Sequence, residues 1–105
     1  MKKEEQRKEN SVVVEEFKAL EYALPVFKFL GDIEFKRLRS CNAKVGFFQD
    51  YTILVSYCTI VAFIKDNILY DVLRYNYGYT ATSAQHIAKF AHDYEVKERY
   101  TWRPL

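Results

Sequence analysis

A run of strand-forming residues fills the middle of this chain and limits what the rest of it can do. From Thr52 to Lys65 the sequence is rich in Ile, Val, Tyr, Phe and Thr, the side chains that fit a pleated surface. Asp66-Asn67 follows, and then a second such run, Ile68 to Tyr75. Asp and Asn tolerate positive φ, so this pair between two strand-like runs predicts a tight hairpin turn. The turn sets a register. Phe63 stands opposite Tyr70, Val61 opposite Val72 and Thr59 opposite Arg74; the other face pairs Ile64 with Leu69, Ala62 with Asp71, Ile60 with Leu73 and Cys58 with Tyr75. Both faces are mostly apolar, so a central hairpin at about 52–75 needs a helix on at least one side.

The flanks supply helices. Val13, Phe17, Leu20 and Leu24 recur at i, i+4, i+7 and i+11, one stripe of an amphipathic helix. Residues 1–10 are mixed-charge and read as a frayed extension of it. Pro25 interrupts the helix, Val26 to Leu30 reads as a further short helical turn, and Gly31 as its cap. Asp32 to Ser40 reads as a strand with Ile33, Phe35 and Leu38 inward, and Ala43 to Phe48 as another extended piece. Thr82-x-x-Gln85 has the form of a capping box, and Ile87, Phe90, Ala91 and Tyr94 form the stripe of a helix over about 82–95. Residues 99–105 read as a tail. The expectation is one α+β domain over 1–105: an N-terminal helix, an antiparallel sheet with a central hairpin, and a C-terminal helix packed on the sheet.

Composition excludes several classes. Aromatics make up 17% of the 105 residues, too many for a disordered chain. Three glycines and two prolines leave no Gly-rich phosphate loop and no low-complexity linker. The net charge of +2 gives no strong bias toward polyanions. No apolar segment follows the polar start, and the stretch Thr52 to Ile64 is short of the ~20 residues a membrane helix needs, so a cytoplasmic protein without a membrane contact is expected. Cys41 and Cys58 lack a Cys-x-x-Cys spacing and read as reduced thiols, buried or half-buried. His86 and His92 lie about 240° apart around a helix, so no metal and no cofactor is expected.

The remaining side chains carry the functional candidates. His86, with Ser56, Ser83, Thr59, Thr82, Tyr57 and Cys58 within possible reach, has the types for nucleophilic catalysis. No acid is spaced to orient it, however, and no nucleophile turn is present. The reading is therefore a structural histidine bonded to a strand hydroxyl, and no enzyme. Asp71 lies inside an apolar run and is placed on the solvent face, the alternative being a buried acid paired with Arg74 or Arg39. Lys36, Arg37 and Arg39, with Lys44 nearby, form the densest basic cluster. Tyr75, Tyr77 and Tyr79 alternate, so in an extended chain all three rings point to one side, beside Arg74. One or two of these rings are candidates to close the core under the helix at 82–94; left open, they serve as anchors at a protein interface or as a stacking platform for unpaired bases. Phe17, Leu20 and Tyr22 on the first helix offer a homodimer seam.

Val55-Ser56-Tyr57-Cys58-Thr59-Ile60-Val61-Ala62, then a hairpin, then Thr82-Ser83-x-Gln85-His86-x-x-x-Phe90, resembles the core of a family of small, uncharacterised proteins common in bacteriophages and mobile elements. The likeness rests on Ser56, Tyr57, Thr59, Val61, Ala62, Thr82, Ser83, His86 and Phe90, about a third of the chain. The N-terminal helix and the Tyr75-x-Tyr77-x-Tyr79 run depart from it. It implies a non-enzymatic inhibitor of a host protein or defence ribonucleoprotein complex, of the anti-CRISPR kind, acting by steric occlusion. A nucleic-acid-binding module on the same tyrosines and the Lys36/Arg37/Arg39 strand is the alternative.

Overall fold

The computed structural model describes residues 2–24, 33–39 and 42–105. Helix α1 spans Lys3–Ala23, and strands β1 to β5 follow at Phe35–Arg37, Ala43–Phe48, Tyr51–Ser56, Thr59–Lys65 and Ile68–Asp71. Helices α2 (Leu73–Asn76) and α3 (Ala81–Asp93) come next, and β6 (Glu98–Thr101) closes the order. Among the described residues the strands form a single sheet in sequence order, antiparallel from β1 to β5, with β6 added parallel to β5. The fold is α+β, with helices on both faces.

Helix α1 buries the expected stripe. Val13, Phe17, Leu20 and Leu24 pack with Tyr51, Ile53, Val55, Ile60, Phe63 and Tyr70 on one face of the sheet. Helix α3 buries Ile87 and Phe90 against Val45, Leu54, Val61, Ala62 and Leu69 on the other. The β3–β4 register explains how one strand feeds both cores. Leu54 pairs with Ala62 but Val55 pairs with Ile60, so Val61 is an extra residue, a β-bulge. The bulge turns Val61 and Ala62 to the α3 face and leaves Ile60 and Phe63 on the α1 face.

The Asp66-Asn67 turn forms as the sequence requires, with φ of 53° and 64°. Phe63–Tyr70, Ile64–Leu69 and Ala62–Asp71 pair as expected, and Val72 still donates to the Val61 carbonyl. Beyond Asp71 the expected strand fails. Leu73–Asn76 is a helical turn, so the Thr59–Arg74, Ile60–Leu73 and Cys58–Tyr75 pairs do not form. The run from Thr52 to Lys65 is two strands, broken by a turn at Tyr57-Cys58.

Three further expectations change. Residues 3–10 are regular helix rather than a frayed extension: Gln6 is buried and donates to the Thr101 carbonyl at 3.0 Å. The supposed tail contains β6, held through backbone pairing to β5. Helix α3 is capped by Thr80 rather than Thr82. Its hydroxyl accepts the Ser83 amide at 3.1 Å, while Thr82 and Gln85 are exposed in the first turns. The helical turn expected at Val26–Leu30, its Gly31 cap and Cys41 lie outside the described residues. No helix among the described residues is long and apolar enough to cross a membrane.

Candidate functional site

Strand β3 ends, β4 begins and β5 ends at the same end of the sheet, and α2 follows β5 directly. This topology gathers exposed aromatic rings there. Tyr57, Tyr75, Tyr77 and Tyr79 are 50%, 41%, 49% and 57% exposed, four of the nine large apolar side chains left open among the described residues. The other five, Val12, Tyr22, Phe47, Tyr94 and Leu105, lie elsewhere along the chain, with Phe47 and Tyr94 in ring contact at 6.3 Å.

The three tyrosines do not stand in an extended row, because Tyr75 is helical and Tyr77 ends that helix. Each is held differently. Tyr75 sets its ring edge-on to Phe17 at 6.1 Å and lies against Trp102 at 5.3 Å, so the core on one side and the C-terminal segment on the other fix it. Tyr77 donates its amide to the Leu73 carbonyl, as does Gly78. Gly78 has φ of +126°, a conformation that favours glycine, and it turns the chain from α2 toward α3. Tyr79 lies under the Arg74 guanidinium, 4.6 Å from ring centroid to charge centre, a cation–π contact that orders both.

Asp71 anchors this end from below. The expectation of a solvent-facing carboxylate is overturned: it is 2% exposed. One oxygen accepts the Leu73 amide at 3.1 Å and the other accepts Arg99 Nη2 at 3.0 Å. The first bond starts α2 and the second ties it to β6. Arg99, rather than Arg74 or Arg39, is the partner. Asn76 completes the seat by donating to the Ile60 carbonyl at 2.9 Å.

The basic cluster does not join the tyrosines. Strand β1 is the far edge of the sheet, about 19 Å from β5 across four strand spacings. Its cations are also divided among themselves. Arg37 pairs with Lys44 and shares the face of Phe35; Lys36 pairs with Val45, of the opposite core, and so faces the other way. Arg39 makes a two-pronged contact with Asp93, its Nε donating to Oδ2 at 2.9 Å and its Nη2 to Oδ1. That contact holds the Asp93 carboxyl below its ordinary range.

His86 lies beneath the site. It is 4% exposed, and its Nδ1 is 3.1 Å from Ser56 Oγ, which also lies 3.0 Å from Ser83 Oγ. Both serines are fully buried. Desolvation first, and Lys89 second, lower the pKa of His86 below its ordinary value. Tyr57 covers the imidazole with ring centroids 6.3 Å apart. The cluster joins α3 to β3; solvent does not reach Ser56 Oγ. Phe90 is core, and Thr59 is half-buried. Cys58, expected at least half-buried, is an exposed thiol. Phe17 and Leu20 are spent on the core, which leaves Tyr22 alone of the proposed dimer seam. Among the described residues no three His, Cys, Asp or Glu side chains group to hold a metal.

Tyr57 and Trp102 were not among the sequence's contact candidates. The Tyr57 ring is displayed by a turn that turn propensities do not signal. Trp102 joins through a strand that pairs far along the chain.

No protein-family model, curated protein or solved structure matches the chain.

Proposed function

We propose that this chain is a non-enzymatic binding protein that covers a surface of another protein, with Tyr75, Tyr77, Tyr79 and Arg74 as its contact residues. The observation that supports this reading is the grouping of half-exposed tyrosines at one end of the sheet, on a backbone anchored by Asp71, Asn76 and Gly78. Tyr and Arg are enriched at the energetic centres of interfaces. Rings already held by Phe17, Trp102 and Arg74 lose less freedom on binding. The resemblance to phage and mobile-element proteins directs the choice of partner to host proteins and defence ribonucleoproteins in the host cytoplasm, in the manner of an anti-CRISPR.

The separation of Lys36 and Arg37 from the tyrosines weighs against a nucleic-acid groove, which needs cations along the stacked rings. The test compares wild type with Tyr77→Ala for capture and identification of a partner from host lysate, and for thermal melting. The expected result is an unchanged melt and affinity weakened about thirtyfold, the equivalent of ~2 kcal/mol. Binding of single-stranded oligonucleotides that falls steeply with salt would assign the surface to nucleic acid instead.

A further inference from the structure

A second feature lies apart from the tyrosine surface, on the α1 face of the sheet near β1. Phe35, Asn42, Lys44, Val55, Tyr57 and Cys58 line a hollow of about 280 Å³. Its floor follows from one residue. Gly46 pairs with Phe35, and a Cβ there would come within 2.6 Å of the Phe35 ring and 2.7 Å of the Ile33 side chain. Glycine thus lets the Phe35 ring lie down on β2 as a flat apolar wall.

The rim carries an unexplained charge arrangement. Lys44 pairs directly with Arg37 on one side and with Val55 on the other, so all three point to the same face as Phe35. Like charges directly across a ladder repel, and such pairs are ordinarily offset by a nearby carboxylate. Here the ion pairs among the described residues go to Arg39, Lys65 and Arg99, and none reaches Arg37 or Lys44. Both cations are exposed; Lys44 lines the hollow, and Arg37 stands directly across the ladder from it on the same face. The Tyr57-Cys58 turn that forms another wall has both residues at positive φ, 51° and 66°, an uncommon conformation for side chains of this kind. Backbone held in such a conformation concentrates at binding sites. A flat apolar wall, a cation with a second one across the ladder from it, and a strained turn therefore meet at one hollow.

We propose that this hollow binds an oxyanion carried on a flat apolar group, the oxyanion meeting Lys44 and Arg37 and the apolar part lying between Phe35, Val55 and Tyr57. Arg37 offers a planar fork of donors to two oxygens, and Lys44 adds a point charge. The volume, at the lower end of small-molecule sites, accommodates a single ring with its anionic group. The site is independent of the tyrosine surface, and Tyr77→Ala leaves it unchanged.

Phenyl phosphate is the probe, titrated against the whole chain with amide shifts read by NMR. Lys44, Tyr57 and Cys58 are expected to shift together and saturate, while benzyl alcohol and inorganic phosphate bind at least about tenfold more weakly. Lys44→Gln and Arg37→Gln are each expected to lose about tenfold in affinity while melting no lower than wild type, since each removes a repulsion. Lys36→Gln, with the same change in net charge on the opposite face, keeps the affinity. The oxyanion source is then separated by an alanine-flanked phosphotyrosine peptide: binding about tenfold tighter than phenyl phosphate upholds the site as a reader of a partner chain, and equal binding upholds it as a small-molecule site. Absence of saturable shifts at these residues, or equal loss of affinity in Lys36→Gln, overturns the proposal.

Discussion

The Ser56–His86–Ser83 cluster shows how a histidine that the sequence pairs with a strand hydroxyl is held in the fold. His86 is one turn into α3, and Ser56 is the last residue of β3. The hydrogen bond between them lets a polar ring sit inside the molecule without an unsatisfied nitrogen at Nδ1. The sequence carries the residue types and the helix position, and the fold adds the burial. The same burial fixes the pH response. Desolvation and Lys89 disfavour the imidazolium in the folded chain, so the unfolded chain takes up the proton first. Stability contributed by neutral His86 is present above the ordinary histidine value of 6.5. It falls as the pH drops through that value, until the folded chain is protonated too. The melting temperature is expected to decline from pH 7 to about 5, and His86→Gln to flatten that decline. Equal slopes for the two proteins in thermal melts would remove His86 from the response.

Whether a turn or strand could be read from the sequence depended on how its backbone is specified. The Asp66-Asn67 hairpin uses residues that favour left-handed φ, and its register follows. The hairpin at Tyr57-Cys58 has the same two-residue form but the wrong chemistry, at about 1–2 kcal/mol of left-handed strain per residue. That is why residues 52–65 read as one strand. Helix α2 was hidden for a different reason: Leu73 to Asn76 has strand-like composition, and Asp71 converts it by accepting the Leu73 amide. Asp71→Ala removes that bond and leaves Arg99 without its carboxylate. A loss of about 2–3 kcal/mol is expected in denaturant melts. Because α2 carries Arg74 and Tyr75, partner affinity should fall with it in this variant, in contrast to Tyr77→Ala, which spares stability.

At the scale of the whole molecule, the two ends of the chain close the structure. Strand β6 is polar, short and paired in parallel with β5 across a helical connection, so neither alternation nor a turn signal marks it in the sequence. Its place is fixed from the first helix. Gln6 donates to the Thr101 carbonyl, Glu9 accepts the Thr101 amide at 2.6 Å, and Asn10 both accepts the Arg103 amide at 2.9 Å and donates to its carbonyl at 2.6 Å. These contacts span more than ninety residues of sequence, so their loop-closure cost is met late in folding. They also seat Trp102 against Tyr75, coupling the closure to the tyrosine surface. Asn10→Ala removes both bonds to Arg103, and an overall loss of about 1–2 kcal/mol is expected. Hydrogen exchange is the sharper measurement. The amides of Trp102, which donates to the Asp71 carbonyl, and of Arg103 should lose protection first, with β3 and β4 amides unchanged. Uniform loss of protection across the sheet would instead make the closing strand part of one cooperative unit with the central hairpins, and the tyrosine surface as rigid as the core beneath it.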